Sequence, residues 1–295
     1  MTFNQDNKMP KKYGTLYIVA TPIGNLADLS IRAIQTLQQV DLICAEDTRH
    51  ARTLLQHHGI NTHCSSLHQH NEDQAAQGII DKIQQGISVA IISDAGTPLI
   101  SDPGMPLVTL AHSSGINVSP IPGACALITA LSASGLPVTP FTFLGFVPRT
   151  SSARQSLFKT KLQATETWVF YESCHRIKHC LNDLAAILPG ERQIVIAREV
   201  TKLHETIIKT SLTDMLTLVE QDSNMQRGEF VVLISGDTVE KKPTALTEQQ
   251  QNTLKILLKE CSIKTAVSMA VEITGVRKKL LYQAALDLSS ANESQ

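Results

Sequence analysis

The sequence predicts an α/β protein with two α/β domains and a small helical C-terminal appendage. Strand and helix patterns alternate over residues 13–135, which favours a mostly parallel sheet with helices on both faces. Beyond residues 136–140 some connections between strands are short, so the second α/β unit is expected to contain more antiparallel pairing. Three helical patterns then follow a charged segment that contains a proline.

These changes of pattern divide residues 1–288 of the 295-residue chain into five segments. Residues 1–12 are polar and are expected to be disordered. The first α/β domain covers 13–137 and the second covers 138–236. A linker at 237–246 then leads to a small, basic helical domain at 247–288.

The first domain is predicted from runs of small and branched apolar residues that alternate with amphipathic stretches. Ser30 can cap a helix in which Ile31, Ile34 and Leu37 share one face. The predicted strands are Tyr13–Ala20, Asp41–Ala45, Val89–Ile92 and Asn117–Ile121. Further helices are predicted from Arg49 to about His57 and over Ala75–Gln85, Met105–Ser114 and Ala126–Ser134.

The second domain begins with the apolar run Phe141–Val147, which leads into a polar, basic segment at 148–154. Its predicted strands are Thr167–Tyr171, Gln193–Ala197, Glu205–Lys209 and Glu229–Ser235, with helices at Ile177–Leu188 and Thr213–Gln221. The appendage is predicted as three helices, at Thr247–Glu260, Lys264–Ile273 and Val276–Leu286. The last two meet at Thr274-Gly275, a weak helix-turn-helix pattern that any small helical domain also produces.

Composition indicates a folded protein whose charge is unevenly distributed. Hydrophobic residues make up 42% and charged residues 18%, enough apolar side chains for a sizeable core. Residues 241–282 contain eight Lys or Arg and three Glu, a local charge of +5 in a chain whose net charge is −1. A basic appendage on an acidic body favours an anionic partner such as nucleic acid, with a solubilising surface as the alternative.

The six cysteines show no CxxC pair and are expected to be free thiols in a reducing cytosol. The N-terminal residues lack the apolar core of a signal peptide, and no apolar run is long enough to span a membrane. The sequence therefore predicts a cytoplasmic location and no membrane partner.

The segment Ser93–Gly104 brings turn-forming and polar residues to the end of a buried strand, where α/β proteins build ligand sites. Carboxylates also gather at other predicted strand ends, and the set is Glu46, Asp47, Asp94, Asp102 and Glu172. They could bind Mg²⁺, as in a hydrolase, or could accept hydrogen bonds from an organic ligand. Asp102 precedes Pro103 and is expected to cap the next helix instead.

Several other kinds of site are disfavoured. The sequence contains neither of the phosphate-binding motifs GxxxxGK[ST] and, after a strand, GxGxxG, which disfavours a nucleoside triphosphatase and an ordinary dinucleotide dehydrogenase. His68-Gln69-His70 lacks an evident third ligand and is expected to be structural. No Ser/His/Asp or Cys/His arrangement can be argued from residue order alone.

Several blocks of sequence together resemble the tetrapyrrole methylase superfamily. They are Leu16–Leu26 (LYIVATPIGNL), Ala45–Arg49 (AEDTR), Ser93–Gly104 (SDAGTPLISDPG), Phe170–Ser173 (FYES) with His175-Arg176, Ala197–Glu199 (ARE) with Thr201-Lys202, and Arg227–Glu229 (RGE). The second and third blocks point to the branch of the superfamily that acts on RNA. One departure is Pro122-Gly123-Ala124, where the family usually has Pro-Gly-Pro.

The resemblance implies two α/β domains with a cleft that binds S-adenosyl-L-methionine (SAM), and methylation of the ribose 2′-hydroxyl of a cytidine in 16S rRNA. It also implies a homodimer and RNA of the small ribosomal subunit as partner. Methyl transfer from SAM requires no metal, so none is expected. A methyltransferase for a tetrapyrrole or other small substrate is the alternative within the superfamily. Outside it, the alternatives are a Mg²⁺-dependent hydrolase and a non-catalytic RNA-binding protein that kept the fold.

The resemblance and the chemistry together suggest roles for particular residues. The expected cofactor contacts are Pro22, Ser93, Asp94, Ala95, Thr97, Ala124, Cys125, Tyr171, Glu172, Ser173 and Gly228. The candidate bases for removing the 2′-hydroxyl proton are Lys202, Glu205, Glu46 and Asp47. The candidate RNA contacts are Arg49, Arg52, Arg149, Arg154, Arg176, Arg277, Lys278 and Lys279, with His175 beside them.

Overall fold

The computed structural model describes residues 13–68, 72–237 and 246–292. The chain divides into two compact units, Met1–Thr238 and Val239–Gln295, and the first contains both predicted α/β halves. The expected disordered segment 1–12 and residues 238–245 of the expected linker lie outside the described residues, as do Gln69 and His70.

The first half of this unit is a five-stranded, fully parallel sheet with strand order β3-β2-β4-β1-β5. The strands are β1 (Thr15–Val19), β2 (Leu42–Ala45), β3 (Cys64–Ser66), β4 (Val89–Ile92) and β5 (Asn117–Ile121). The helices are α1 (Ile31–Gln39), α2 (Thr48–His57), α3 (Glu72–Gln84), α4 (Met105–Ser113) and α5 (Ala126–Ala133). The predicted parallel sheet is therefore confirmed.

Local sequence explains most of these elements and one omission. The Ser30 hydroxyl accepts from the Ala33 backbone N–H, so Ser30 caps α1 as predicted, and the helix buries Ala33 and Leu37. The edge strand β3 was not predicted, because its three residues Cys64–Ser66 are too few and too polar to show a strand pattern.

The second half is a five-stranded mixed sheet with strand order β6-β7-β10-β8-β9. The strands are β6 (Phe141–Phe146), β7 (Thr167–Ser173), β8 (Gln193–Arg198), β9 (Thr206–Ser211) and β10 (Glu229–Ile234). The helices are α6 (Ser151–Lys161), α7 (Ile177–Ala185) and α8 (Leu212–Gln221). Only β6 and β7 pair in parallel, so the expected antiparallel character is confirmed.

The polar, basic segment noted at 148–154 continues into helix α6, which begins at Ser151 and was not predicted from the sequence. This helix lacks a continuous apolar stripe and buries only Arg154 and Phe158. Phe158 packs against the rings of Trp168 and Phe170 in the core of the second half. A basic helix that buries one aromatic and one charged side chain shows little apolar periodicity, which is why the sequence did not indicate it.

Helix α5 joins the two halves of the unit. Its residues Leu127, Ala130 and Leu131 pack against Val195 of β8 and Val231 of β10 in one buried cluster. The carboxyl end of the first sheet and the inner face of the second sheet therefore share one core, which fixes the walls of the cleft between them.

The second unit consists of α9 (Glu248–Glu260), α10 (Ile263–Thr274) and α11 (Lys278–Asn292), which confirms the helical appendage. Thr247 and Gln250 form a capping box at the start of α9. Gly275 ends α10 in the left-handed conformation, and Leu254, Val267 and Leu281 are fully buried among the three helices. Across the described residues, no helix is both long and apolar enough for a membrane span.

Candidate active site

Two loops at the carboxyl ends of β1 and β4 are fastened to each other. Thr21 and Gly96 form an isolated antiparallel bridge, and the Thr21 hydroxyl donates to the carbonyl oxygen of Ser93 at 3.1 Å. The left-handed Gly96 lies so close to Ile23 that a Cβ atom there would meet the Ile23 side chain at 3.1 Å. Thr97 continues the connection by donating to the carbonyl oxygen of Ala124 at 3.1 Å.

A cavity of about 470 Å³ opens between these loops and the second sheet. Seven of the expected cofactor residues line it: Asp94, Ala95, Thr97, Cys125, Tyr171, Glu172 and Ser173. The other four, Pro22, Ser93, Ala124 and Gly228, do not line it, although a neighbour of each in sequence does. The segments chosen from the sequence therefore come together at one site.

The sequence interpretation missed much of the cavity wall. The additional lining residues are Ile23, Gly96, Ile100, Ser101, Asp102, Ala126, Phe146, Ala197, Val200, Glu229, Phe230 and Val231, together with the candidate base Glu46. Ala197 and Val231 belong to strands β8 and β10 of the second sheet, where an apolar residue is equally typical of a core. Whether such an apolar residue lines the cavity or lies in the core depends on whether it faces the cleft between the two sheets, which the sequence does not show.

Asp94, at the end of β4, contacts residues at the end of β2 and the start of α2. Its Oδ1 accepts from the backbone N–H of Asp47 at 3.1 Å, and its Oδ2 lies 3.1 Å from Nδ1 of His50. This contact raises the pKa of the His50 imidazole. Because both Asp94 oxygens already contact the protein, the carboxylate orients two loops in addition to facing the cavity.

Glu46 and Asp47 are adjacent in sequence but have opposite environments. Burial, followed by the nearby charges of Asp102 and Asp94, raises the pKa of the Glu46 carboxyl. Asp47 instead accepts from the Arg49 guanidinium at 2.6 Å, and that hydrogen bond holds the pKa of its carboxyl well below the usual range. Glu46 faces the cavity and Asp47 does not line it.

Asp102 does not cap α4, so that expectation is wrong. The capping residue is the left-handed Gly104, which has no side chain, and Asp102 lines the cavity instead. Burial raises the pKa of its carboxyl, and a hydrogen bond to Ser93 partly offsets this. Leu99 adopts a φ of 72°, a conformation that non-glycine residues rarely adopt. Ser101 and Asp102, which follow this turn, both line the cavity.

The candidate bases Lys202 and Glu205 lie in the loop between β8 and β9 and are held by local contacts. The Lys202 ammonium donates to Glu199 at 3.0 Å and to Glu229 at 2.8 Å. Partial burial alone would lower the pKa of Lys202, but these two hydrogen bonds outweigh it and raise it. Glu205 accepts from the backbone N–H of Thr201 at 2.7 Å.

This loop also touches the Pro22 loop of the first half. A Cβ atom at Gly24 would lie 2.4 Å from the Lys202 side chain, and one at Gly228 would lie 2.5 Å from Glu199. Both positions therefore need glycine for close approach, and both also have positive φ. The group Glu199, Lys202 and Glu229, named here the clasp, holds the Val200 side of the cavity against the Pro22 loop.

The expected RNA contacts differ sharply in exposure. Arg49, Arg52 and Arg149 are exposed in the first unit, and Arg277, Lys278 and Lys279 are exposed in the second. Arg176 is partly buried and its guanidinium lies 2.7 Å from the buried Glu172 carboxylate. Arg154 is only 3% exposed and forms a buried ion pair with Asp183, so its assignment as an RNA contact is wrong.

Among the described residues, no group of three or more His, Cys, Asp or Glu side chains is placed to hold a metal ion. Five acidic residues line the cavity, namely Glu46, Asp94, Asp102, Glu172 and Glu229, whereas no Lys, Arg or His of the described chain does. The Glu172 carboxylate is fully buried against Arg176, and Glu229 is paired with Lys202, so the acidic part of the cavity wall consists of Glu46, Asp94 and Asp102.

Comparison with known proteins gives matches along nearly the whole chain. A family model described as Tetrapyrrole (Corrin/Porphyrin) Methylases matches residues 15–216, and one described as the RsmI C-terminal HTH domain matches residues 244–289. A protein of Escherichia coli O157:H7 named ribosomal RNA small subunit methyltransferase I is 46% identical over 283 residues, 96% of this chain and 98% of that protein. Its namesake in Pseudomonas aeruginosa is 48% identical over 273 residues, 92% and 97% of the two chains.

Solved structures share the two-sheet architecture at much lower identity. The crystal structure of a diphthine synthase is 13% identical with a TM-score of 0.58, and covers 76% of this chain and 91% of that one. This likeness shows a common fold, and it carries no information about the substrate of this chain.

Proposed function

The chain belongs to the tetrapyrrole methylase family, and from this membership we propose that it transfers a methyl group from SAM to the ribose 2′-hydroxyl of a cytidine in 16S rRNA. The RNA substrate is supported by the relatives named ribosomal RNA small subunit methyltransferase I, which match over more than nine-tenths of the chain. The cofactor is supported by the family and by the chemistry of the cavity.

The acidic character of the cavity is the observation that carries the cofactor proposal. SAM carries a positively charged sulfur and an ammonium group. Glu46, Asp94 and Asp102 line the cavity, no basic side chain of the described residues does, and this charge distribution favours a cation. The same charge disfavours a ligand dominated by phosphates, because such ligands are bound by Arg, Lys and helix N-termini.

The size and walls of the cavity also fit SAM. Its volume of about 470 Å³ lies within the ~300–1,000 Å³ range of small-molecule sites. Ile23, Val200 and Val231 provide apolar surface for a flat adenine ring, and the backbone of Ala95 and Thr97 provides polar groups for the ribose and amino-acid ends. When bound, SAM supplies a methyl group that its cationic sulfur has already activated.

Among the candidate bases, Glu46 fits the removal of the 2′-hydroxyl proton best. It lines the cavity, and its raised pKa makes it a stronger base than an ordinary glutamate. Asp47 has a lowered pKa and is a weak base, and Lys202 has a raised pKa and therefore stays charged. We assign Glu46 as the proton acceptor and Lys202 as a positioning residue.

Exposed basic side chains would hold the RNA backbone. Arg49 and Arg52 lie on α2, which begins directly after Glu46 and Asp47, so they are close in sequence to the acidic strand end. Arg149 lies between β6 and α6 and is also exposed. Cations at these positions can contact phosphates while the target nucleotide enters the cavity.

The experiment that tests the proposal uses the purified protein, radiolabelled SAM and small ribosomal subunits from a strain that lacks this gene. Nucleoside mass spectrometry of the digested RNA should show 2′-O-methylcytidine in 16S rRNA. Label on a base, or label on no RNA at all, would refute the proposed activity. Naked 16S rRNA assayed in parallel establishes which form of the substrate is used.

Calorimetry separates this proposal from the alternatives drawn from the sequence. Tight SAM binding in the presence of a chelator is expected for the methyltransferase and would not be expected for a Mg²⁺-dependent hydrolase. A tetrapyrrole or other small acceptor would leave ribosomal RNA unlabelled. The proposed homodimer is tested by light scattering, where a monomer at working concentration would refute it.

A further inference from the structure

Phe146 is an exposed aromatic side chain at the edge of the cavity. It lines the cavity, and it keeps 60% of its surface exposed at the end of β6. Ile100 also lines the cavity and is 48% exposed. Exposed apolar side chains that are grouped at the mouth of a cavity mark a surface for a second molecule.

A bulge in β6 turns Phe146 toward the cavity. Phe143 pairs with Val169 and Phe146 pairs with Tyr171, so three steps along β6 match two steps along β7. Side chains alternate between the faces of a strand, and a regular β6 would therefore place Phe146 on the face of Leu144. Leu144 packs in the core on the other side of the sheet. The additional residue reverses the direction of the Phe146 side chain.

The backbone of this bulge has no packing reason to contain glycine. Gly145 has a φ of 66°, in the left-handed region, and an added Cβ atom would meet nothing within 4 Å. Bulges with a left-handed glycine re-aim side chains and are common beside active sites. The geometry thus indicates that the irregularity serves the orientation of Phe146.

Other aromatic side chains hold the exposed ring in place. The rings of Phe146 and Tyr171 make an edge contact with centroids 5.5 Å apart, and Tyr171 makes a second edge contact with Phe143 at 5.0 Å. The Tyr171 hydroxyl accepts from the backbone N–H of Leu127 at 3.1 Å, which ties this group to α5. Phe146 is therefore a supported ring with much of its surface exposed.

We propose that Phe146 is a stacking platform for an unstacked base of the RNA substrate at the mouth of the cavity. This proposal rests on the proposed function and names a residue that recognises its substrate. Proteins that act on single nucleotides in RNA stack splayed bases on aromatic side chains. Arg149, three residues beyond Phe146 in sequence, is exposed and offers a cation for a phosphate of the same RNA.

The main test is steady-state methylation by Phe146→Leu, which keeps apolar volume and removes the ring. The KM for small ribosomal subunits should rise about 5- to 150-fold, the range for loss of one stacked base. The dissociation constant for SAM, measured by calorimetry, should change less than about twofold. Phe146→Trp should retain a low KM because it restores an aromatic surface.

Phe141→Leu is the matched control. Phe141 lies on the same strand and is 39% exposed, but it does not line the cavity. It should leave the KM for subunits unchanged. An unchanged KM in Phe146→Leu would overturn the platform, and so would a change confined to the SAM dissociation constant, because the ring would then belong to the cofactor site.

Fluorescence provides a readout that does not need turnover. The single native tryptophan, Trp168, is fully buried and provides a constant background. Oligocytidylate should quench the emission of Phe146→Trp and leave Phe141→Trp unchanged, whereas equal emission changes in both would overturn the proposal.

If the wild-type enzyme methylates subunits but Phe146→Leu is indistinguishable from it, only the platform fails. If the wild-type enzyme labels no RNA, the proposed function itself fails.

Discussion

Two adjacent carboxyl groups at the end of β2 have pKa values that their surroundings shift in opposite directions. Glu46 is partly buried among other acids and has a raised pKa, whereas Asp47 has a lowered pKa because it contacts Arg49. Pairs of groups whose surroundings separate their pKa values in this way often divide acid–base roles between them. Here the separation distinguishes a proton acceptor from a structural anion.

Replacing Glu46 by Gln should reduce activity while stabilising the fold. Single-turnover methyl transfer should fall about 10²- to 10⁴-fold, the usual contribution of a general base. Because the folded-state pKa of Glu46 is raised, its ionised form destabilises the folded state above that pKa. The melting temperature of Glu46→Gln should therefore exceed that of wild type at about pH 7.5, and the difference should vanish in acid, where Glu46 is protonated.

Asp47→Asn is the control with the opposite sign. In the wild type, the pKa of the Asp47 carboxyl is lower in the folded state than in the unfolded state. The ionised carboxylate therefore stabilises the folded state at pH values above its unfolded-state pKa, and this contribution is lost as the pH falls through the folded-state pKa. Asp47→Asn should lower the melting temperature at neutral pH and retain most of the methyl-transfer rate. If Glu46→Gln transfers methyl groups at nearly the wild-type rate, Glu46 is not the base.

At the scale of elements, α6 and α7 are joined by a buried ion pair. The Arg154 guanidinium contacts Asp183 and also donates to the carbonyl oxygens of Pro148 and Arg149. Ser151 donates to the same Asp183 carboxylate at 2.6 Å. Hydrogen bonds thus satisfy both charges, which makes the removal of one partner costly.

Arg154→Met should destabilise the protein without changing its affinity for RNA. The substitution leaves the buried Asp183 uncompensated, and such losses cost about 3–5 kcal/mol in the free energy of unfolding. Denaturant titration measures this cost. The exposed Arg149→Met should stay within about 0.5 kcal/mol of wild type and should weaken RNA binding. Equal stability of the two variants would contradict the structural role of Arg154.

The clasp of Glu199, Lys202 and Glu229 gives a second prediction at this scale. Lys202→Met should weaken SAM binding by about 2- to 13-fold, as expected from losing partly exposed, charge-assisted hydrogen bonds (~0.5–1.5 kcal/mol). Calorimetry measures the binding, and the pH profile of methyl transfer should be unchanged. A fall in rate beyond about 10²-fold with normal SAM binding would instead indicate a chemical role for Lys202.

Elements with strong local patterns were predictable from the sequence, and those decided by tertiary contacts were not. The branched apolar run Val89–Ile92 and the Ser30 cap specify β4 and the start of α1 without help from other segments. Helix α6 and the burial of Arg154 depend on Asp183, about thirty residues away, which no local pattern reveals. The bulge at Gly145 depends likewise on its pairing with β7.

The same distinction applies to the site. Its polar loops were predictable, because glycine, proline and carboxylates at strand ends show in the sequence as breaks in apolar runs. Its apolar wall was not, since Ala197 and Val231 become wall residues only when β8 and β10 pair in the second sheet and face the cleft.

At the scale of the whole molecule, the basic residues of the second unit offer RNA a surface that the acidic cavity does not. Arg277, Lys278 and Lys279 are exposed at the start of α11, and Arg277 lies two residues after the left-handed Gly275 that ends α10. Clustered cations of this kind contribute to affinity by releasing counterions from RNA, and the contribution weakens as salt rises.

Neutralising Arg277, Lys278 and Lys279 together to Gln should therefore weaken RNA binding and flatten its salt dependence. Each phosphate contact contributes about 0.7 to the slope of log K against log salt for single-stranded RNA, so three lost contacts should reduce the slope by about 2. The measurement is a salt titration of affinity for small ribosomal subunits, with SAM binding unchanged. The matched control neutralises Lys255, Lys259 and Lys264, which are exposed in the same unit and carry the same total charge. If both variants lose the same slope, the effect depends only on net charge. If the slope of the first variant is unchanged, the start of α11 does not contact RNA.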